Sequence, residues 1–132
     1  MTLQEVETLI DDLYAASAAA DWDKVATMVT DDLLISEAPG LPMAGTYKGK
    51  NALRDLFNDV FAMLQVQSLD VIGSTYGGDY AVKILRMNFG EGLEPAELTE
   101  MFRIRDGKVC EIKPYYFDPA PVKAAAAATQ KA

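Results

Sequence analysis

Histidine is absent from the 132 residues. That excludes Ser-His-Asp and Cys-His nucleophile systems, imidazole general bases, and histidine-ligated zinc or iron. Cysteine occurs once, as Cys110, so the chain can form neither an internal disulfide nor a CxxC motif. No apolar run approaches the roughly 18 residues of a membrane helix. Cationic residues are few, 12 Lys and Arg against 20 Asp and Glu, giving a formal net charge of −8. Nucleic acid and anionic membranes repel such a surface, so neither is expected as a partner. A P-loop is missing, and GEG at 90–92 lacks the third glycine of a dinucleotide fingerprint because Pro95 stands in its place. Carboxylate, tyrosine, arginine and amide chemistry remain, or binding without chemistry. No metal and no cofactor are expected.

Half of the residues are hydrophobic and 24% are charged, enough to build the core of one domain of this length. The N-terminal TLQEVETLIDDL is acidic and amphipathic rather than signal-like, so a cytoplasmic location is expected. Residues 3–19 are predicted helical, with Val6, Leu9, Ile10, Leu13 and Tyr14 on one face. Asp21 caps a short second helix that turns Trp22, Val25, Ala26 and Val29 inward. A strand is expected over 33–37, a Pro/Gly loop over 38–45, and a third helix over 50–64. The period then changes to two. Strands are predicted over 66–76, 80–89, 97–105 and 109–117, joined by turns at Gly77-Gly78-Asp79, GEGLEP and Asp106-Gly107. Helices first and a strand meander after them mean an α+β domain, residues 1–118. A Pro- and Ala-rich tail, 119–132, is expected to fray or form a loose helix.

Alternation assigns faces to the strands. Leu98, Glu100, Phe102 and Ile104 form an apolar set interrupted by Glu100. Leu33, Ile35 and Glu37 form a second such set, with Glu37 at the strand end. In 80–89, Lys83 marks one set as outer, which would turn Val82, Ile84, Arg86 and Asn88 inward. In the last strand Cys110, Ile112, Pro114 and Tyr116 share a face. Glu37, Glu100, Arg86, Asn88 and Tyr14 thus fall on surfaces that should be apolar. A charge there costs several kcal/mol unless paired or neutralised. Two carboxylates in different environments can serve as base and acid. The competing reading is an internal Arg86–Glu100 ion pair, with Glu37 solvated at a rim.

The segments DWDKVATMVTDDLLISEAP, AGTYKGKNALRDLF and MFRIRDGKVCEIKPYYFD, with the amphipathic helix before them, resemble the nuclear transport factor two-like superfamily. That group includes ketosteroid isomerases and SnoaL-like polyketide cyclases, and the resemblance spans residues 3–118. It implies a conical half-barrel, a curved antiparallel sheet wrapped around three N-terminal helices, with a small apolar ligand at its mouth. Counted from Asp31-Asp32, Glu37 falls where ketosteroid isomerases place their aspartate base. Counted back from Phe102-Arg103-Ile104, Glu100 falls at their protonated aspartic acid. With one gap Tyr14 matches their hydrogen-bonding tyrosine; without it, Leu13 does. Limonene-epoxide-hydrolase-like relatives use an Arg-x-Asp motif and a second aspartate. This chain has Arg86-Met87-Asn88 and Pro114 there, so both acids are absent.

The resemblance implies proton transfer next to a carbonyl, as in isomerisation or aldol cyclisation. Glu37 would act as base, with protonated Glu100 or Arg86 at the enolate oxygen. Phe57, Phe61, Val82, Ile84, Phe102, Ile112 and Tyr116 would line the cavity. The alternative is a ligand-binding or dimerisation module without chemistry. A homodimer is expected through the sheet face that carries Thr99, Met101, Arg103 and Tyr115.

Overall fold

The computed structural model describes residues 1–131. Helix α1 (Leu3–Ala18) begins at Thr2, whose hydroxyl accepts from the Glu5 amide while the Glu5 carboxylate accepts from the Thr2 amide. This reciprocal capping fixes the helix start. Its buried stripe is Val6, Ile10, Leu13, Ala16 and Ser17. Helix α2 (Trp22–Met28), capped by Asp21, leads straight into β1 (Val29–Glu37). Val29 therefore starts a strand rather than ending a helix, and β1 is four residues longer than the alternating apolar set alone suggested. The extension contains Asp31 and Asp32, both exposed. The pairing register shifts between Val29 and Leu34, which lets two consecutive acids face solvent. They pair with Lys50 and Arg105.

After a loop come the short β2 (Gly45–Lys48) and α3 (Ala52–Leu64), whose buried face is Ala52, Leu56, Val60 and Leu64. Strands β3 (Ser68–Gly77), β4 (Tyr80–Asn88), β5 (Ala96–Arg105) and β6 (Lys108–Tyr116) follow as an antiparallel meander. Asp106 and Gly107 both take positive φ, 54° and 76°, the conformation of a two-residue hairpin turn that matches strand twist. The six strands form one curved, unclosed sheet in the order β2-β1-β6-β5-β4-β3. Pairing is antiparallel except between β1 and β6, which run parallel. The sequence pattern alone suggested an antiparallel sheet throughout. A parallel pair needs a long crossover, and here α3 and the whole meander supply it.

The tail was expected to fray or form a loose helix; it is helical, and packed rather than loose. Residues Ala120–Lys131 form an ordered helix α4 whose Val122, Ala125 and Ala126 are buried, and it packs on α3. Its alanines let two helices approach closely. The core lies between α1, α3, α4 and the concave sheet face, and none of the described helices is long and apolar enough to cross a membrane. Replacing the fully buried Val122 by Asp should lower unfolding free energy by at least about 2 kcal/mol in urea titrations, because a charge is driven into the α3–α4 contact. A frayed tail would leave the midpoint unmoved.

Candidate functional site: two inward-facing carboxylates on the concave face

The site follows from strand register. Ile35 of β1 lies level with Ile112 of β6 in the parallel pair, so Glu37, two residues on, lies level with Pro114. Pro114 is the partner of Glu100 on β5, and Glu100 is the partner of Lys83 on β4. Glu37, Pro114, Glu100 and Lys83 thus form one row across four strands, all on the concave face. Neighbouring strands are about 4.8 Å apart, so Glu37 and Glu100 are separated by a single strand.

Glu37 is 6% exposed, and its Oε1 has no hydrogen-bond partner. Burial, and next the charge of Glu100, push its carboxyl up to about 8. An unpartnered buried carboxylate is expensive, so the group favours the neutral form. Glu100 is also pushed up by burial, and the Tyr14 hydroxyl, which donates to Glu100 Oε1, offsets part of that. Tyr14 reaches it from α1, with its ring edge-on to Phe102 at 5.8 Å. Burial, and then the proximity of Glu100, raise the Tyr14 phenol above the usual tyrosine range. Tyr116, from the end of β6, feels both carboxylates and is likewise held neutral, chiefly by burial. A cleft of about 440 Å³ reaches Glu37 and Tyr116, walled by Ala38, Pro39, Leu41, Pro114 and Pro119.

The expected inward set of β4 is reversed. Ala81, Lys83, Leu85 and Met87 are buried, whereas Ile84 and Arg86 are exposed and Val82 and Asn88 only half-buried. Arg86 and Asn88 both bind Asp70 of β3, at 3.2 and 2.9 Å. Glu100 therefore has no arginine partner, and neither Arg86 nor Asn88 reaches the concave site. Val82 and Ile84 share that outer face. The reversal has a physical cause. A lysine stem buries its methylenes while its ammonium reaches a polar partner, here Asp11 of α1 at 2.7 Å. The inner set is otherwise wholly apolar. On α3, Phe57 and Phe61 stack at 4.4 Å beside Trp22, with Phe61 exposed. They form a surface aromatic cluster rather than a cavity wall. Phe102 and Ile112 are buried on the concave side. Among the described residues no cluster of carboxylates and cysteine could hold a metal ion.

A model of the SnoaL-like domain matches residues 10–112. The chain belongs to the SnoaL-like family. Its fold is that of the nuclear transport factor two-like superfamily. A nuclear-transport-factor-two-like protein from Burkholderia xenovorans is 19% identical with a TM-score of 0.78, covering 96% of this chain and 98% of that one. A protein from a soil-derived mobile gene cassette is 14% identical with a TM-score of 0.80, over 93% and 97%. A candidate polyketide cyclase from Sinorhizobium meliloti is 17% identical with a TM-score of 0.68, over 82% and 94%. No curated protein matches this SnoaL-like chain. At these identities the likeness is one of fold.

Burial of Glu37 has a thermodynamic signature. Its carboxyl ionises near the ordinary 4.5 when unfolded and near 8 when folded. Between those values the unfolded state binds fewer protons, so its contribution to stability falls as pH rises. Urea midpoints should drop from pH 5 to pH 8, and Glu37→Gln should flatten that slope. A wild-type midpoint independent of pH over this window would mean Glu37 is solvated.

Proposed function

We propose that this protein catalyses proton transfer at a carbon next to a carbonyl, as an isomerase or an aldol-type cyclase without a cofactor. The observation that carries the reading is Glu37: a buried carboxyl with an unpartnered oxygen, beside a largely apolar cleft and one strand away from Glu100. In its ionised form Glu37 takes the proton from the α-carbon. The electron pair of the C–H bond moves onto the carbonyl oxygen. Glu100, kept neutral by burial and held in position by the Tyr14 hydroxyl that donates to its Oε1, donates a hydrogen bond to that enolate oxygen. Isomerisation ends when Glu37 returns the proton to another carbon. Cyclisation ends when the enolate carbon attacks a second carbonyl and that oxygen takes the proton. Tyr116, with Ala38, Pro39 and Leu41 of the cleft wall, supplies the surrounding surface for a small apolar, carbonyl-containing ligand.

The exposed convex face supports pairing of two copies. Ile84, Thr99 and Tyr115 lie in register across β4, β5 and β6. Ile72 and Phe117 beside them are 60% and 85% exposed, a large apolar patch for a free surface. Ile84→Glu should convert a dimer to a monomer in sedimentation.

With a panel of enolisable ketones, exchange of the α-proton with solvent deuterium reports the chemistry directly. Glu37→Gln should slow it at least about a hundredfold. The wild-type rate should climb about tenfold per pH unit below about 8 and level above it, because only ionised Glu37 is a base. An unchanged rate in Glu37→Gln removes Glu37 from the role.

A further inference from the structure

Lys83 is the one cation in the concave row, and the proton-transfer scheme does not use it. It is 5% exposed. Its Nζ donates to Asp11 Oδ1 at 2.7 Å and to the Tyr76 hydroxyl at 3.2 Å. The same ammonium stands 5.9 Å from the centre of the Tyr14 ring and 5.8 Å from that of Tyr76. Burial works against its charge, but the Asp11 and Tyr76 contacts overcome this and hold it above the usual lysine range. Tyr14 in turn donates to Glu100, the strand partner of Lys83. A surface carboxylate on α1 is thereby connected, through one buried cation and one aromatic ring, to the acid at the centre of the site.

We propose that Lys83 is a positioning residue: clamped by Asp11, it holds the Tyr14 ring against β5 and sets the proton affinity of the Tyr14–Glu100 pair. A cation against the ring attracts its π-face. It also draws electron density from the phenol, which strengthens the O–H as a donor to Glu100. Asp11 sets the strength of the effect, because it screens the ammonium from the solvent side. The groups that face this pair are Lys83 from β4, Tyr76 from β3, Asp11 from α1, Glu37 from β1 and Tyr116 from β6. Lys83 alone among them is positive. The role matters for turnover only if the proton-transfer reading holds, since it acts on the group assigned to the enolate oxygen.

The test needs no substrate. Full-length protein labelled with ¹³C in the glutamate side-chain carboxyls is titrated by NMR, with Glu37→Gln and Glu100→Gln used to assign the two buried signals. Lys83→Met should raise the Glu100 midpoint by about half a pH unit or more. Lys83→Arg should restore it to near the wild-type value. Asp11→Asn keeps the lysine and removes its screen, so it should lower the midpoint. Thermal melts of each variant separate these shifts from a general loss of packing. A folded Lys83→Met protein with an unmoved Glu100 midpoint overturns the proposal, as does Lys83→Arg behaving like Lys83→Met. Where Lys83→Met does not fold, Asp11→Asn decides, and a midpoint that does not fall overturns the proposal. The Glu37 signal reports on the other reading. If Glu37 titrates in the ordinary carboxylate range while the Lys83 shifts persist, the buried, unpartnered Glu37 that carries the proton-transfer reading falls and the positioning role stands. If Glu37 titrates high and the Lys83 shifts are missing, the reverse holds.

Discussion

The parallel pairing of β1 with β6 is the constraint on which the rest depends. The first long strand is joined to the last one in the chain, so the concave face can close only after all four meander strands are in place. That pairing sets Glu37 beside Pro114 and one strand from Glu100. A slip of one residue would turn Glu37 to the convex face and bring Ser36 inward, because side chains alternate. Val29, Leu33 and Ile35 of β1 are fully buried and specify the register on which the site relies.

What the register assembles is costly to stability. Among the described residues, two carboxyls and two phenols share an interior with one buried cation, Lys83, which is already held by Asp11. Burial therefore drives Glu37 and Glu100 toward their neutral forms rather than into ion pairs. The two acids still differ. Glu100 has a hydrogen-bond donor in Tyr14, whereas Glu37 has an oxygen with none. A pair of like groups in unlike surroundings is how one site holds a base and an acid together. The aliphatic contact of α1 and α3 with the sheet, and of α4 with α3, offsets the cost.

Much of this was legible in the chain. The element order, the hairpins and the inward aim of Glu37 and Glu100 follow from period and alternation. Both acids interrupt otherwise apolar sets, so whatever buries the rest of each set carries its acid inward too. Strand β4 was not legible, because its two faces are nearly balanced: Tyr80, Val82 and Ile84 on one, Ala81, Leu85 and Met87 on the other. The sign of the balance turned on whether Lys83 could be inside, and that depends on Asp11, 72 residues earlier. The packing of the tail was not legible for a similar reason. An alanine-rich stretch has little hydrophobic driving force alone, and its order comes from the exposed flank of α3.

By itself the sequence determined the chemistry on offer. With no histidine, a lone cysteine and a surplus of acids, any proton transfer falls to carboxylates and tyrosines. It also determined the local elements, because helix and strand periods are properties of neighbouring residues. The tertiary structure decided which of those groups meet. Glu37, Glu100, Lys83 and Tyr14 come from β1, β5, β4 and α1, and no local pattern encodes distances between them. Strand register and helix docking set those distances, and with them the burial that pushes both carboxyls toward their neutral forms.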